Sequence, residues 1–171
     1  MIRKTAVIAL ISVVAIAGCG RDRGAFPQGE ALVAGGGAVC AADPLLPSAM
    51  VDAVNAARAG QGKSLLKPDE RLSGIAQSHA CDIASHNRAS VEGSDGSGVV
   101  DRARAARYPT CGVAQLVSVG GSADAAVSRW LASGPHRDEL LAQTPVDIGA
   151  GVVRGPDGRL WWSLVLGENC R

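Results

Sequence analysis

An excess of charge of either sign is missing from this chain: 17 Lys and Arg stand against 16 Asp and Glu. A nucleic-acid binder carries a basic face; here basic residues are scattered and interleaved with acidic ones, so no nucleic-acid partner is expected. No two cysteines have the C-x(2–4)-C spacing of structural zinc. No G-x-S-x-G elbow occurs, and Ser64-Leu65-Leu66-Lys67, though it matches S-x-x-K, is followed by no S-D-N or K-T-G. Ala57 to Ser64 ends like a phosphate-binding loop but lacks its first glycine and follows a helical stretch instead of a strand. Internal repeats are absent, and no cofactor is expected.

What is present begins at the N-terminus. Arg3 and Lys4 precede an uncharged apolar run, Ala6 to Ala17, shorter than the roughly 20 residues that span a bilayer. A basic start, a short apolar stretch and small residues at its end mark a secretory signal. The run closes Ile16-Ala17-Gly18-Cys19, which resembles a bacterial lipobox, so residues 1–18 are expected to be removed and Cys19 to carry the lipid (palmitate). Residues 19–45, with Gly35-Gly36-Gly37, read as a tether. Residues 46–171 form the domain, exported and facing outside the cytoplasm. With no second apolar segment, membrane affinity must come from the acyl chains.

Four further cysteines remain: Cys40, Cys81, Cys111 and Cys170. An even number in an oxidising compartment suggests two disulfides. Three pairings are possible; Cys40 and Cys170, near the two ends of the domain, favour Cys40–Cys170 with Cys81–Cys111.

Apolar spacing predicts a helix over 47–59, with Met50, Val54 and Ala57 on one face and Gly60 as its stop. Pro68 is expected to open a second helix, striped by Leu72, Ile75, Ala76, His79 and Ile83. A short helix over 99–107, a strand over 113–119, a helix capped by Ser122 through Ala132, and further turns over 135–142 follow. Gly155-Pro156-Asp157-Gly158 predicts a hairpin between strands 148–154 and 160–166. Of the adjacent Trp161 and Trp162, one is expected to be buried and one exposed. Helices around a mostly antiparallel sheet make a layered mixed α/β domain.

Several segments in this order resemble the CAP superfamily of SCP-like extracellular proteins, over about residues 46–167. They are Val54-Asn55-Ala56-Ala57-Arg58, Leu66 to Leu72, Ala76 to Ala80, Asp101-Arg102-Ala103, Trp130 to Arg137, and Ile148-Gly149-Ala150-Gly151-Val152. The resemblance implies an α-β-α three-layer sandwich. It also implies a cleft where relatives present His and Glu side chains that in some members bind a divalent metal. Here Val91 stands in place of the first His, Gln115 in place of a Glu, and Ala132 in place of another Glu; His136 alone remains. The tentative cleft is therefore Val91, Gln115 and His136, with no metal, since zinc needs three or four ligands.

The expected function is a non-catalytic, monomeric envelope lipoprotein binding a small apolar ligand or an envelope partner. One alternative is a hydrolase using His136 as general base. Another is a metal site on His79, Asp82 and His86, which share a helix face.

Overall fold

A proline in the first turn of a helix forfeits no hydrogen bond, and α1 (Leu46–Gly60) carries Pro47 in its first turn. The computed structural model describes Cys40, Asp43 and residues 45–170; the expected signal segment, Cys19 and most of the tether lie outside them. α1 buries Met50 and Val54 as its spacing predicts, and also Arg58, which is fully buried. The Arg58 guanidinium donates to the carbonyls of Ser64 (2.8 Å), Leu140 (2.8 Å) and Ala142 (2.9 Å). Asn55 bonds both the N–H and the C=O of Leu66, at 2.9 and 3.0 Å. The Asn-x-x-Arg pair thus fastens α1 to the chain that follows it and to a distant helix end.

Pro68 does not open the second helix. Lys67–Pro68 forms a two-residue strand, β1, parallel to Asp147–Ile148. The N–H groups of Lys67 and Asp69 donate to Val146 and Ile148, each at 2.9 Å. The nitrogen of Pro68 faces away from the ladder, where a proline is tolerated. α2 (Glu70–Ser85) starts one step later, with the Asp69 carboxylate accepting from the N–H groups of Arg71 and Leu72. α3 (Val99–Ala105), β2 (Thr110–Val119), α4 (Ala123–Ala132, capped by Ser122), α5 (Gly134–Leu140), β3 (Asp147–Arg154) and β4 (Leu160–Asn169) follow.

The sheet runs β1-β3-β4-β2, antiparallel except for β1. The turn joining β3 to β4 closes through Gly155 N–H to Arg159 C=O (2.8 Å), and Gly158 takes a φ of 78° that suits glycine. Helices cover both faces, which completes the three-layer arrangement. Ile148, Ala150, Val152, Trp162, Leu164 and Leu166 pack under α1, α4 and α5. Val165 packs under α2 and α3, while Val153 and Trp161 meet the C-terminal half of α2. Trp161 and Trp162 do point to opposite faces, but both are buried because neither face meets water.

On the α2 side β3 carries Gly149 and Gly151. A Cβ at either would overlap the backbone of α2, at Leu72–Ser73 and at Ala76–Gln77 respectively. The helix backbone therefore lies directly on the strand.

The disulfides pair differently from the sequence expectation: Cys40 with Cys81 and Cys111 with Cys170, each with Cα atoms 5.6 Å apart. Strand register is the reason. Thr110 pairs with Asn169 and Gly112 with Glu168 in the β2–β4 ladder, so Cys111 and Cys170 meet at its end. Cys40 is left to staple the start of the domain onto α2. Among the described residues no helix is long and apolar enough to cross a membrane.

Candidate functional site

The loop after α2 carries Val91, and hydrogen bonds fix its shape. His79, 2% exposed, holds its Nε2 2.8 Å from the Ser90 carbonyl. A carbonyl can only accept, so this nitrogen bears the proton and the neutral ring has its tautomer set. Burial holds the His79 imidazole below its usual pKa, with Arg102 and Arg88 adding to that and Ser90 and Asp82 opposing it. Further along, the Asp82 carboxylate accepts from the N–H (2.8 Å) and hydroxyl of Ser94. Burial pushes that carboxyl up, but the Ser94 bonds and the nearby His86 outweigh it and hold Asp82 below the ordinary range.

Arg102, on α3, joins the loop to the sheet. Its Nη1 donates to the carbonyl (2.6 Å) and hydroxyl (3.0 Å) of Ser97. Its Nη2 donates to the Val91 carbonyl (2.8 Å) and the Gln115 Oε1 (2.5 Å). The Gln115 Nε2 in turn donates to Ser163 Oγ on β4 (2.8 Å). Every acceptor of Arg102 is neutral, and burial lowers its pKa from the ordinary arginine value. A glutamate at position 115 would place a carboxylate against this cation; the glutamine instead spends both ends of its amide inside the network.

Val91 and Gln115 are thus brought to one arginine, to which the sequence assigns no role although it lies within Asp101-Arg102-Ala103. Val91 is 48% exposed. His136 stands apart: it is exposed in the first turn of α5, its Nδ1 2.9 Å from Ser133 Oγ. No hydrogen bond joins it to Val91 or Gln115.

His79, Asp82 and His86 share a face of α2, and His86 Nδ1 lies 3.1 Å from Asp82 Oδ1, but the ring of His79 is engaged elsewhere. His79 turns to Ser90, while His86 caps the helix with Nδ1 2.9 Å from the Asp82 carbonyl. Among the described residues no three His, Cys, Asp or Glu side chains are placed to hold a metal ion.

Four hollows border these elements, one of them, of about 410 Å³, beside His86, Arg88, Glu92 and Ser94. One of about 230 Å³ lies against His79, Asp82, Ser94, Ser97 and Arg102. One of about 250 Å³ lies over the first half of β2, Gly112 to Gln115, and the adjoining Leu166 and Glu168 of β4, walled by Glu139, Ala142, Thr144 and Pro145. The largest, about 470 Å³ and mainly apolar, lies between α1 and α2 over Val51, Pro68, Gly74 and Ala150. The largest apolar space is therefore distant in the fold from the Val91–Gln115 network, whose neighbouring hollows are of mixed polar and apolar lining.

Residues 51–166 match the model of the cysteine-rich secretory protein family (CAP). Among solved structures, an outer surface protein from Borrelia burgdorferi superposes with a TM-score of 0.65 at 16% identity, over 70% of this chain and 90% of its own. An extracellular SCP-domain protein from Bacillus anthracis gives 0.63 at 21%, over 72% of this chain and 40% of its own. A cysteine-rich secretory protein from Staphylococcus aureus gives 0.61 at 22%, over 74% and 39% respectively. The chain thus matches about two fifths of the length of those last two. No curated protein matches.

Proposed function

Since the chain belongs to the cysteine-rich secretory protein (CAP) family, we propose that it is a non-catalytic binding module of the cell envelope, held at a membrane by lipid on Cys19. The observation that carries this reading is the closed network Val91–Arg102–Gln115–Ser163. The positions that resemble the family's cleft are spent on holding a loop to a sheet, and Gln115 has no free amide end to offer a reacting atom. Binding then falls to the surface beside the network, and the groove along β2 is the part of it that adjoins Gln115. An envelope protein is the occupant this polar groove suits.

A small apolar ligand is the second reading. The hollow between α1 and α2, of about 470 Å³, is within the range of ligand pockets. The reading as a hydrolase is less well supported: His136 is exposed and paired with Ser133, with no carboxylate bonded to it to orient the ring.

The test is photo-crosslinking in cells, with the reactive amino acid placed at Val113 in the groove and, as control, at the exposed Ala56 on α1. A discrete protein adduct from Val113 alone is expected. Absence of any adduct, together with an activity of the purified protein lost in His136→Ala, would remove the reading in favour of catalysis. Cys19→Ser is expected to move the protein from the membrane to the soluble fraction; retention there would contradict lipid anchoring.

A further inference from the structure

Sheet edges expose main-chain groups that invite another strand, and proteins usually cover them. β3 is covered almost throughout. β1 and the start of α2 take the carbonyls of Val146 and Ile148. The Gln77 side-chain amide bonds both the N–H and the C=O of Val152 at 3.1 Å, as a neighbouring strand would. Only Ala150 intervenes, a single residue.

β2 is covered over its second half alone. Trp130 Nε1 donates to the Val117 carbonyl (3.0 Å), and Arg129 Nη2 donates to that of Val119 (3.4 Å). The bond from Gly120 N–H to Leu160 C=O (2.7 Å) shows that even-numbered residues of β2 face β4. Val113 and Gln115 therefore turn their N–H and C=O groups outward. Both residues are half-buried and line the groove of about 250 Å³. No partner in the described residues takes these four groups. The charged side chains lining the groove are Glu139 and Glu168, and neither forms an ion pair.

We propose that Val113–Gln115 accepts an extended, positively charged segment of a protein partner as a fifth strand, with lysine or arginine side chains reaching Glu139 and Glu168. Two N–H and two C=O groups at alternate residues match the spacing of an added strand, which supplies affinity, and the carboxylates supply selectivity. A second copy of this chain fits poorly, because antiparallel β2–β2 pairing would bring Glu139 and Glu168 against their own kind. The inference rests on the binding-module reading and narrows it to one partner chemistry.

The test uses the full-length protein in detergent, with two fluorescent probes: a peptide of alternating lysine and valine, and the same peptide with glutamate for lysine. Fluorescence anisotropy is expected to show binding of the lysine peptide only. Val113→Pro removes an outward N–H and leaves the ladder to β4 intact; it should weaken binding at least about tenfold. The double variant Glu139→Gln/Glu168→Gln, which leaves the backbone untouched if the proline variant misfolds, should weaken it about fivefold and flatten its salt dependence. Equal binding of the glutamate peptide, undiminished binding by a folded Val113→Pro, or unchanged binding by the double glutamine variant would overturn the proposal. An adduct from Val113 in cells combined with those results leaves the module standing and removes strand addition. Peptide binding as expected without a cellular adduct removes the envelope-partner reading instead.

Discussion

The two faces of the sheet are built on opposite plans. Under α1, α4 and α5 the strands present a continuous apolar surface, Ile148, Ala150, Val152, Trp162, Leu164 and Leu166, which is filled by volume. Under α2 and α3 the same strands present Gly149, Gly151 and Gly167 beside Ser163, and the space is closed by bringing helix backbone and Tyr108 onto the sheet. Polar groups accumulate on this second face: His79 on Ser90, Gln115 between Arg102 and Ser163, and Tyr108 on Asp147 at 2.7 Å. One face tolerates adjustment because side chains can repack. The other does not, because its partners are main chain, and it is the face on which the Val91–Gln115 network is assembled.

The largest expected effect breaks the second face. Gly149→Val would drive a branched side chain into the backbone of Leu72 and Ser73. α2 would have to lift from β3, so a loss of more than about 4 kcal/mol, enough to unfold many domains, is expected. Denaturant unfolding with circular dichroism measures it; a folded variant within about 1 kcal/mol of the parent would refute the contact. The matching change on the first face is Leu164→Ala. It deletes a fully buried side chain and should cost about 2–5 kcal/mol while leaving a cooperative transition. If Leu164→Ala proves the more damaging of the two, the contrast between the faces fails.

A next step down concerns the covalent ties. Reduction of Cys111–Cys170, which closes 59 residues, or of Cys40–Cys81, which closes 41, should each cost about 2–4 kcal/mol. The two losses should differ by only a few tenths, since loop entropy grows with the logarithm of length. Paired Cys→Ala variants compared by thermal unfolding test this, and peptide mapping of the unreduced protein tests the pairing. Ser163→Ala belongs below these. It strands the Gln115 amide inside the sandwich at a cost of about 1–2 kcal/mol, and should alter binding along β2 more than an equally destabilising change under α1.

Several of these features are legible in the sequence alone. Helical spacing found α1, α2 and α4 because each buries one stripe, and the Ser122 cap and the Gly155–Gly158 turn are set by neighbours in the chain. What could not be read depends on residues remote in sequence. Pro68 looks like a helix opener until Val146 and Ile148 arrive to claim the N–H groups on either side of it. The cysteine pairing follows from β2–β4 register, which no spacing along the chain encodes. Nothing in the helical pattern marks Arg58 as buried, since the carbonyls that bury it belong to Ser64, Leu140 and Ala142. For the candidate cleft, substitution of Val91 and Gln115 was visible from the resemblance, while the arginine that binds both was not. Its role exists only once α3, the 90–97 loop and β2 are assembled.

The smallest effect is a pH dependence confined to the polar face. His79 is buried neutral, and burial lowers its pKa from the ordinary 6.5. In the unfolded chain the same ring takes up a proton as pH falls through about 6.5. Between that value and the lower folded one the unfolded state binds more protons, so stability is fully present above about pH 6.5 and declines below it. Asp69 and Asp82 are shifted downward and their contributions fade only as pH falls below about 4, through their folded values, which leaves the interval from about 6.5 to 4.5 to the histidine. His79→Gln can still donate to the Ser90 carbonyl but does not titrate. Urea unfolding across this interval should show a decline in the parent that flattens in the variant. A parent slope that survives His79→Gln would place the titrating group elsewhere and detach it from the packing of α2.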